Sequence, residues 1–290
     1  MSSDRPLSER RAAPAADLSG RAAIVTGASR GIGRAIADAL ADAGAAVALV
    51  GRRAETLEPV AAAIGARGGR AIAVQAHAGH PDAFGPVVQA AEAAFGGFDI
   101  LVNNAGTCPH YGPIVTADDA LWDKTMDVNV RATLRAVRAC LPAFERRGGG
   151  KVVNIASVAG LMPQPSVGLY CVSKAALLML TEVLAVELAP ALVQVNAVAP
   201  GFVRTRFSQA ITDEPAASEG ALAVIPQRRF AEPEEIVGAV LYLAGPYSGF
   251  TTGATLVVDG GQRLAAGLPL AGAVRPPGGP AGGPADDRRL

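Results

Sequence analysis

The sequence predicts an α/β fold, a Rossmann-type doubly wound parallel sheet in a single domain. Two observations predict it. Short runs that are apolar at every position alternate with Ala- and Leu-rich stretches of helical spacing, and a glycine cluster joins the first run to the first such stretch. Strands without polar alternation belong to sheets covered on both faces, and right-handed crossovers then leave few topologies.

In chain order, the spacing predicts strands at 22–26, 46–50, 71–75, 100–103, 152–155, 193–198 and 255–258. Helices are predicted over 31–43, 54–64, 81–95, 121–144, 169–188 and about 233–243. Residues 18–264 form the expected domain, between an N-terminal extension (1–17) and a flexible Pro/Gly-rich tail (265–290). The stretch Arg204–Arg228 is long and irregular, as lids often are.

Composition excludes several classes of function. Among 290 residues, Lys+Arg and Asp+Glu are 26 each, so no net field draws the chain to nucleic acid or an anionic membrane. Half the residues are apolar and 18% are charged, which excludes a disordered chain. The uncharged run Ile236–Val258 is broken by glycines, Pro246 and threonines, so it reads as helix, turn and strand rather than a membrane span. Cys108, Cys140 and Cys171 are odd in number and widely spaced, which fits free thiols in a reducing cytoplasm and neither zinc nor disulfides. No metal site is expected; His77 and His80 lack a carboxylate cluster.

The glycine cluster is Gly27-Ala28-Ser29-Arg30-Gly31-Ile32-Gly33, with Thr26 before it. Between a strand and a helix, such glycines let backbone N–H groups and a helix dipole meet a pyrophosphate. The spacing is Gly-x3-Gly-x-Gly rather than Gly-x-Gly-x-x-Gly. After the second strand, where an acid would hold both ribose hydroxyls of NAD(H), stand Gly51, Arg52 and Arg53. Guanidinium groups at Arg30 and Arg52 suit a 2′-phosphate, so NADP(H) is favoured and NAD(H) is the alternative; Arg53 is read as solvating the loop.

Tyr170 and Lys174 lie four residues apart, on one face of the predicted helix. Leu177, Leu180, Leu184 and Leu188 are read as an opposite, core-facing stripe. A cation beside the phenol would lower its pKa toward the working range of an acid/base. Ser157, at the carboxyl end of strand 152–155, is placed to donate to a substrate carbonyl.

With Asn103-Asn104-Ala105-Gly106, Asn129 in Asp127-Val128-Asn129-Val130, Pro200-Gly201 and Val258-Asp259-Gly260-Gly261, these motifs stand in the order of one family. Over about Leu18 to Gly261 the chain resembles the short-chain dehydrogenases/reductases of the cytosolic type. That resemblance implies an oxidoreductase interconverting a ketone or aldehyde and an alcohol. It assigns Tyr170 as general acid/base, Lys174 as its tuner and ribose ligand, Ser157 as carbonyl orienter, and Asn129 as holder of a relay water. It assigns Asn103, Ala105 and Gly106, within the stretch Asn103 to Gly106, to the strand end beside the adenosine ribose, where they also stabilise the sheet, and Pro200, Gly201, Val203 and Thr205 to the nicotinamide side. It implies a homo-oligomer, tetramer or dimer, built on the long helices and last strand.

Two positions depart from the family pattern. Many members carry Asp-Val after the third strand, the acid contacting adenine; here the stretch is Ala76-His77-Ala78-Gly79, and a backbone contact or His77 takes its place. Many place Gly in the turn before strand 193–198, where Ala191-Leu192 predicts a strained turn.

The expected substrate pocket comprises Thr107–Pro113, Val158–Leu169 and Phe202–Arg228. Leu161, Met162, Pro163 and Phe207 make it apolar, which points to an uncharged small carbonyl or alcohol; Arg204 and Arg206 are the groups available to a carboxylate. His110 and Tyr111 are read first as loop packing. The rival readings are a 3-oxoacyl-thioester ketoreductase, with Arg131, Arg135 and Arg138 as a carrier-docking patch, and a non-catalytic NADP-binding sensor or scaffold.

Overall fold

The computed structural model describes residues 16–265. The expected tail, apart from its first residue, and most of the N-terminal extension lie outside them.

Seven parallel strands form one sheet: β1 (Ala22–Thr26), β2 (Ala46–Gly51), β3 (Ala71–Gln75), β4 (Ile100–Asn103), β5 (Gly150–Ile155), β6 (Val193–Pro200) and β7 (Thr255–Val258), in the order β3-β2-β1-β4-β5-β6-β7. Successive side chains of a strand face opposite sides. Ala23, Val25, Val47 and Leu49 therefore enter one core, and Ala22, Ile24, Ala48 and Val50 the other. Helices α1 (Gly31–Asp42) and α9 (Glu234–Ala244) cover the first core; α3 (Phe84–Phe95) and α5 (Ala132–Arg146) cover the second. The chain runs outward from β1 to β3 and then crosses back to β4. The sheet thus reverses its winding between β1 and β4, and a crevice opens at their carboxyl ends.

The amino end of the sheet is closed by Asp99, just before β4. It accepts from Arg21 at 2.7 Å, from the Ala22 N–H at 3.1 Å and from Arg147 at 2.8 Å. The site is thus confined to the opposite end.

Several elements differ from expectation for local reasons. The predicted helix 54–64 is a 3-10 turn, Ala54–Thr56, followed by α2 (Glu58–Ala66), with Pro59 in its first turn. The predicted helix 81–95 starts only at Phe84, because His80–Ala83 is spent in a turn. The predicted helix 121–144 is three pieces: α4 (Asp119–Met126), a π turn over Asp127–Arg131, and α5. The stretch Arg204–Arg228 holds α7 (Gln209–Thr212) and α8 (Pro215–Ala223); Pro215 and a Glu214 side-chain cap at 2.6 Å from the Ala217 N–H start the latter.

The run Ile236–Val258 is α9, a 3-10 turn and β7, as its glycines predict. Helix α6 (Gly168–Leu188) is the one described helix long and apolar enough to cross a membrane. Much of it is buried in the fold, and that buried face carries Lys174 and Ser173, the mark of a core helix.

Leu192, in the turn before β6, adopts φ +55°, the left-handed conformation that a Cβ disfavours. Its side chain is 70% exposed, so little packing offsets the strain. Leu192→Gly is expected to stabilise the fold by about 0.5–1 kcal/mol, raising Tm by about 1–3 °C in a thermal melt. A lower Tm would show that the turn is unstrained.

Candidate active site

The cleft at the switch point holds about 860 Å³. Its floor is pinned by one hydroxyl. Thr26 Oγ1 accepts from the N–H groups of Asn104 (2.9 Å) and Ala105 (3.0 Å), and Asn104 Nδ2 donates to the Thr26 carbonyl at 2.9 Å. The ends of β1 and β4 are thereby held side by side. Gly33, in the first turn of α1, sits against this junction: a Cβ there would run into Gly27 O and Asn104 Nδ2. The helix N-terminus can approach the sheet edge only because residue 33 has no side chain.

Gly27, Ser29, Arg30, Gly31, Ile32, Gly33, Arg52, Ala105 and Gly106 all line the cleft, as the sequence predicts. Pro200, Gly201, Val203 and Thr205 line it from the other side, with Thr205 Cγ2 3.1 Å from where a Gly31 Cβ would be. Arg53 does not line it and pairs with Glu55 at 3.7 Å, in keeping with its reading as a loop residue.

Asn103 ties the sheet together, as expected, but does not line the cleft. Its side chain is buried and donates to Asn154 Oδ1 at 2.9 Å; Asn154 in turn donates to Thr181 Oγ1 at 2.9 Å. It stitches β4 to β5 and α6, and the neighbouring Asn104 faces the cleft instead. The alternation of a strand carries the signal for this swap, since the predicted strand 100–103 ends where β4 does.

Two elements, the turn after β5 and helix α6, bring Ser157, Tyr170 and Lys174 to the cleft. Ser157 follows β5 and caps the 3-10 turn Val158–Gly160, its Oγ accepting from the Ala159 N–H at 3.1 Å. Gly160 lets that turn lie directly on α6, since a Cβ there would fall 2.7 Å from the Lys174 carbonyl carbon. Tyr170 and Lys174 project from α6 into the cleft beside Ser157. Their helical face runs on into Leu177 and Leu184, which are buried, while Leu180 and Leu188 are partly buried. The leucines therefore do not form an opposite stripe: residue 177 lies two turns from 170, on the same side.

Lys174 is 3% exposed, and its Nζ donates to the Ile155 carbonyl at 2.8 Å. Burial pushes its pKa down to about 8. An ammonium has three N–H donors, and this carbonyl is its one protein acceptor among the described residues. The remaining donors suit ribose hydroxyls, and with the glycine cradle they make the cleft fit a nicotinamide dinucleotide.

The phenol differs from expectation. Burial raises the Tyr170 pKa, the nearby Ser157 hydroxyl opposes that rise, and Cys108, Cys171 and Tyr111 add to it. The Lys174 amine lies 5.6 Å from the ring centroid and is turned to Ile155, so it does not offset the burial. The Phe207 ring covers the phenol at 5.8 Å between centroids.

Asn129 sits in the π turn and is buried. Its Oδ1 accepts from the Thr107 N–H at 2.8 Å; its Nδ2 donates to Thr107 O and Ser173 Oγ, each at 2.9 Å. The side chain thus holds the loop after β4 against α6 and has no donor left for a water. π turns concentrate at functional sites, and this one escapes sequence periodicity.

On the substrate side, Cys108, Tyr111, Met162, Pro163 and Phe207 line the cleft, but Leu161 does not. His110 packs on Thr116, with Nε2 and Oγ1 2.9 Å apart. Arg204 is engaged by Glu232 (3.4 Å) and the Phe230 ring (5.1 Å), whereas Arg206 faces the cleft. Lys124 and Gln262, which belong to no site motif in the sequence, also line the cleft. No cluster of metal-ligating side chains occurs among the described residues.

A family model described as enoyl-(acyl carrier protein) reductase matches residues 27–263. Dehydrogenase/reductase SDR family member 4 of Bos taurus is 39% identical over 84% of this chain and 88% of its own length. A short-chain type dehydrogenase/reductase from Mycobacterium ulcerans superposes with a TM-score of 0.82 at 32% identity, covering 86% of this chain and 91% of that one. A Beutenbergia cavernae structure crystallised with NADP at low occupancy superposes at 0.80 with 37% identity, covering 85% and 98%. With these relatives, this sheet and this cleft, the chain belongs to the short-chain dehydrogenase/reductase family of NAD(P)-dependent oxidoreductases.

Proposed function

We propose that the protein is an NADP(H)-dependent oxidoreductase that interconverts an uncharged ketone or aldehyde and its alcohol, with Tyr170 as general acid/base. The observation that carries this reading is the charge of the cleft. Arg30, Arg52, Lys124, Lys174 and Arg206 line it, and no Asp or Glu does so among the described residues. A 2′-phosphate meets cations there and no repelling carboxylate. The Beutenbergia cavernae relative, which holds NADP, accords with this.

A nicotinamide dinucleotide held by the loop Gly27–Gly33, Arg52 and Lys174 would supply or take the hydride. Ser157 donates to the substrate oxygen and steadies the charge that grows on it. Tyr170 gives that oxygen a proton in reduction and removes it in oxidation. Its raised pKa keeps the phenol protonated at neutral pH, which favours its role as the acid. Lys174 places a cation behind the ring, and its pKa of about 8 means that this cation is lost as pH rises through that value. Asn129 serves as a positioning residue through Thr107 and Ser173.

The thioester reading needs a free basic patch. Arg131 is paired with Asp127 at 3.0 Å and Arg135 with the same carboxylate at 3.3 Å, leaving Arg138 as the patch. That favours a small substrate. A sensor without turnover is the reading that the first test below separates.

Tyr170→Phe is expected to lower kcat by about 10²–10⁴-fold while NADPH binding holds. Reduction by the native chain is expected to decline above about pH 8, in step with the Lys174 ammonium. Unchanged turnover in the variant, followed at the nicotinamide absorbance, would transfer the proton donor elsewhere.

Native protein is expected to bind NADPH more tightly than NADH. Arg52→Asp should weaken NADPH by about 10–100-fold and spare NADH in a fluorescence titration. An NADH preference in the native chain would remove the role of Arg30 and Arg52.

A homo-oligomer in the cytoplasm completes the reading. The solvent side of α6 exposes Val172, Met179, Val183 and Val186, an apolar stripe that a second copy would cover. Light scattering is expected to give a dimer or tetramer mass, and Val183→Glu with Val186→Glu to reduce it; a monomeric native chain would refute this.

A further inference from the structure

Two buried side-chain polar atoms lack a hydrogen-bond partner among the described residues, Gln262 Oε1 and His110 Nδ1. Only the first belongs to a residue that lines the cleft. Gln262 is 2% exposed and stands just beyond β7. Its backbone is fixed. The Gln262 N–H donates to the Asp259 carbonyl at 3.1 Å, and the Asp259 carboxylate accepts from the Gly261 N–H at 2.9 Å and the Arg263 N–H at 2.7 Å. Glycine at 201 leaves room for the amide: a Cβ there would fall 2.9 Å from Gln262 Oε1. The end of the lid rests on the adjoining glycines, since a Cβ at Gly260 would fall 3.1 Å from Ile225 Cγ2 and one at Gly261 2.9 Å from Pro226 Cγ. The amide therefore lies where the loop after β6 meets the lid. Phe202, Phe207, Ile211 and Val224 of those segments line the same cleft.

A buried acceptor without a donor is costly, whereas an apolar side chain of the same shape is not. A half-turn of the amide exchanges Oε1 and Nε2, so the group can accept from a ligand or donate to it. Ser157 and Tyr170 serve the reacting oxygen. The partner of Gln262 is then a further polar group on the ligand, and a neutral amide matches an uncharged one. A hydroxyl both donates and accepts, so it satisfies the amide in either orientation.

We propose that Gln262 is a specificity-determining residue that hydrogen-bonds a non-reacting hydroxyl of the substrate, so that the enzyme acts on hydroxy-ketones and, in the reverse direction, on diols. This rests on the reading of the protein as a carbonyl/alcohol oxidoreductase. The hydroxyl takes no part in hydride or proton transfer. A ketone that lacks it leaves the amide unpaired, and a site built around a buried polar group discriminates by that loss far more than an apolar wall does.

The experiment compares kcat/KM for butanone, acetophenone and cyclohexanone, each beside its α-hydroxy and β-hydroxy counterparts, with NADPH and with NADH. In the native chain at least one hydroxylated ketone is expected to exceed its parent by about tenfold or more. Gln262→Met should lower that ratio by about tenfold; intrinsic reactivity is the same for both proteins and cancels from the comparison. Since the methionine removes an unpaired buried oxygen, the melting temperature should hold or rise, which a structural role for the amide would not give. Gln262→Leu gives the same ratio should the methionine form fail to fold. A ratio unchanged in both variants would overturn the inference. Weaker NADPH binding in the variants with an unchanged ratio would also overturn it, by placing the amide on the cofactor. Absence of turnover of every ketone with either cofactor is a different result: it would remove the oxidoreductase reading itself, and this inference with it.

Discussion

The hydrogen bond from Lys174 Nζ to the Ile155 carbonyl joins the central helix of the site to the end of β5, at 2.8 Å inside the fold. It holds a cation in a place where burial disfavours charge, and the pKa drop to about 8 measures that penalty. The position is tolerable because the Ile155 carbonyl accepts one of its donors and the others open onto the cleft. Once α6 is anchored there, Tyr170 one turn earlier has nowhere else to point. Gly160 then brings the Ser157 turn against the same stretch of helix. The three reacting groups thus come from two elements whose mutual position is fixed by one bond and one missing side chain.

The same anchor explains why burial raises the pKa of the Tyr170 phenol without relief from the neighbouring amine. The amine is spent on Ile155 and stands 5.6 Å from the ring centroid. Its field reaches the ring but does not cancel desolvation, and Phe207 adds to that desolvation from above. The simple expectation from the four-residue spacing, a phenol made acidic by its neighbour, treats both groups as if they stood in water. Inside the fold each is first a buried group, and burial moves them in opposite directions: the phenol up, the amine down.

Much of the fold was legible because its strands are unmistakable: β1, β3, β4 and β7 begin and end where apolar runs meet glycine or polar residues. What escaped was local. The π turn at Asp127–Arg131 inserts a residue into a helix without altering its hydrophobic spacing enough to show. The lid helix α8 has an Ala-rich, weakly patterned sequence, so only Pro215 and its Glu214 cap mark its start. Within the site, most cleft residues could be read because the glycine cluster and the Tyr170–Lys174 pair are fixed by chemistry. Asn103 was placed at the cleft although it is the last residue of β4, where it turns inward to Asn154 and leaves the cleft to Asn104. Leu177 was assigned to the wrong side by counting leucines among themselves instead of from Tyr170.

The charge of the cleft and its apolar mouth bear on different halves of the ligand. Arg30 and Arg52 stand beside the loops after β1 and β2, at the end remote from Tyr170; Met162, Pro163 and Phe207 surround the reacting end. A bound dinucleotide brings its own anionic charge to the first region and leaves the second to exclude water. Where water is excluded, a hydrogen bond from the Ser157 hydroxyl to a growing oxyanion would gain most, because the surroundings screen least. Arg206 is the exception, a cation on the lid that Glu232 does not neutralise as it does Arg204. Its charge sits one residue from Thr205, which packs on Gly31 at the mouth of the phosphate loop. Arg206 thus adds a cation to the cleft from the segment that follows β6.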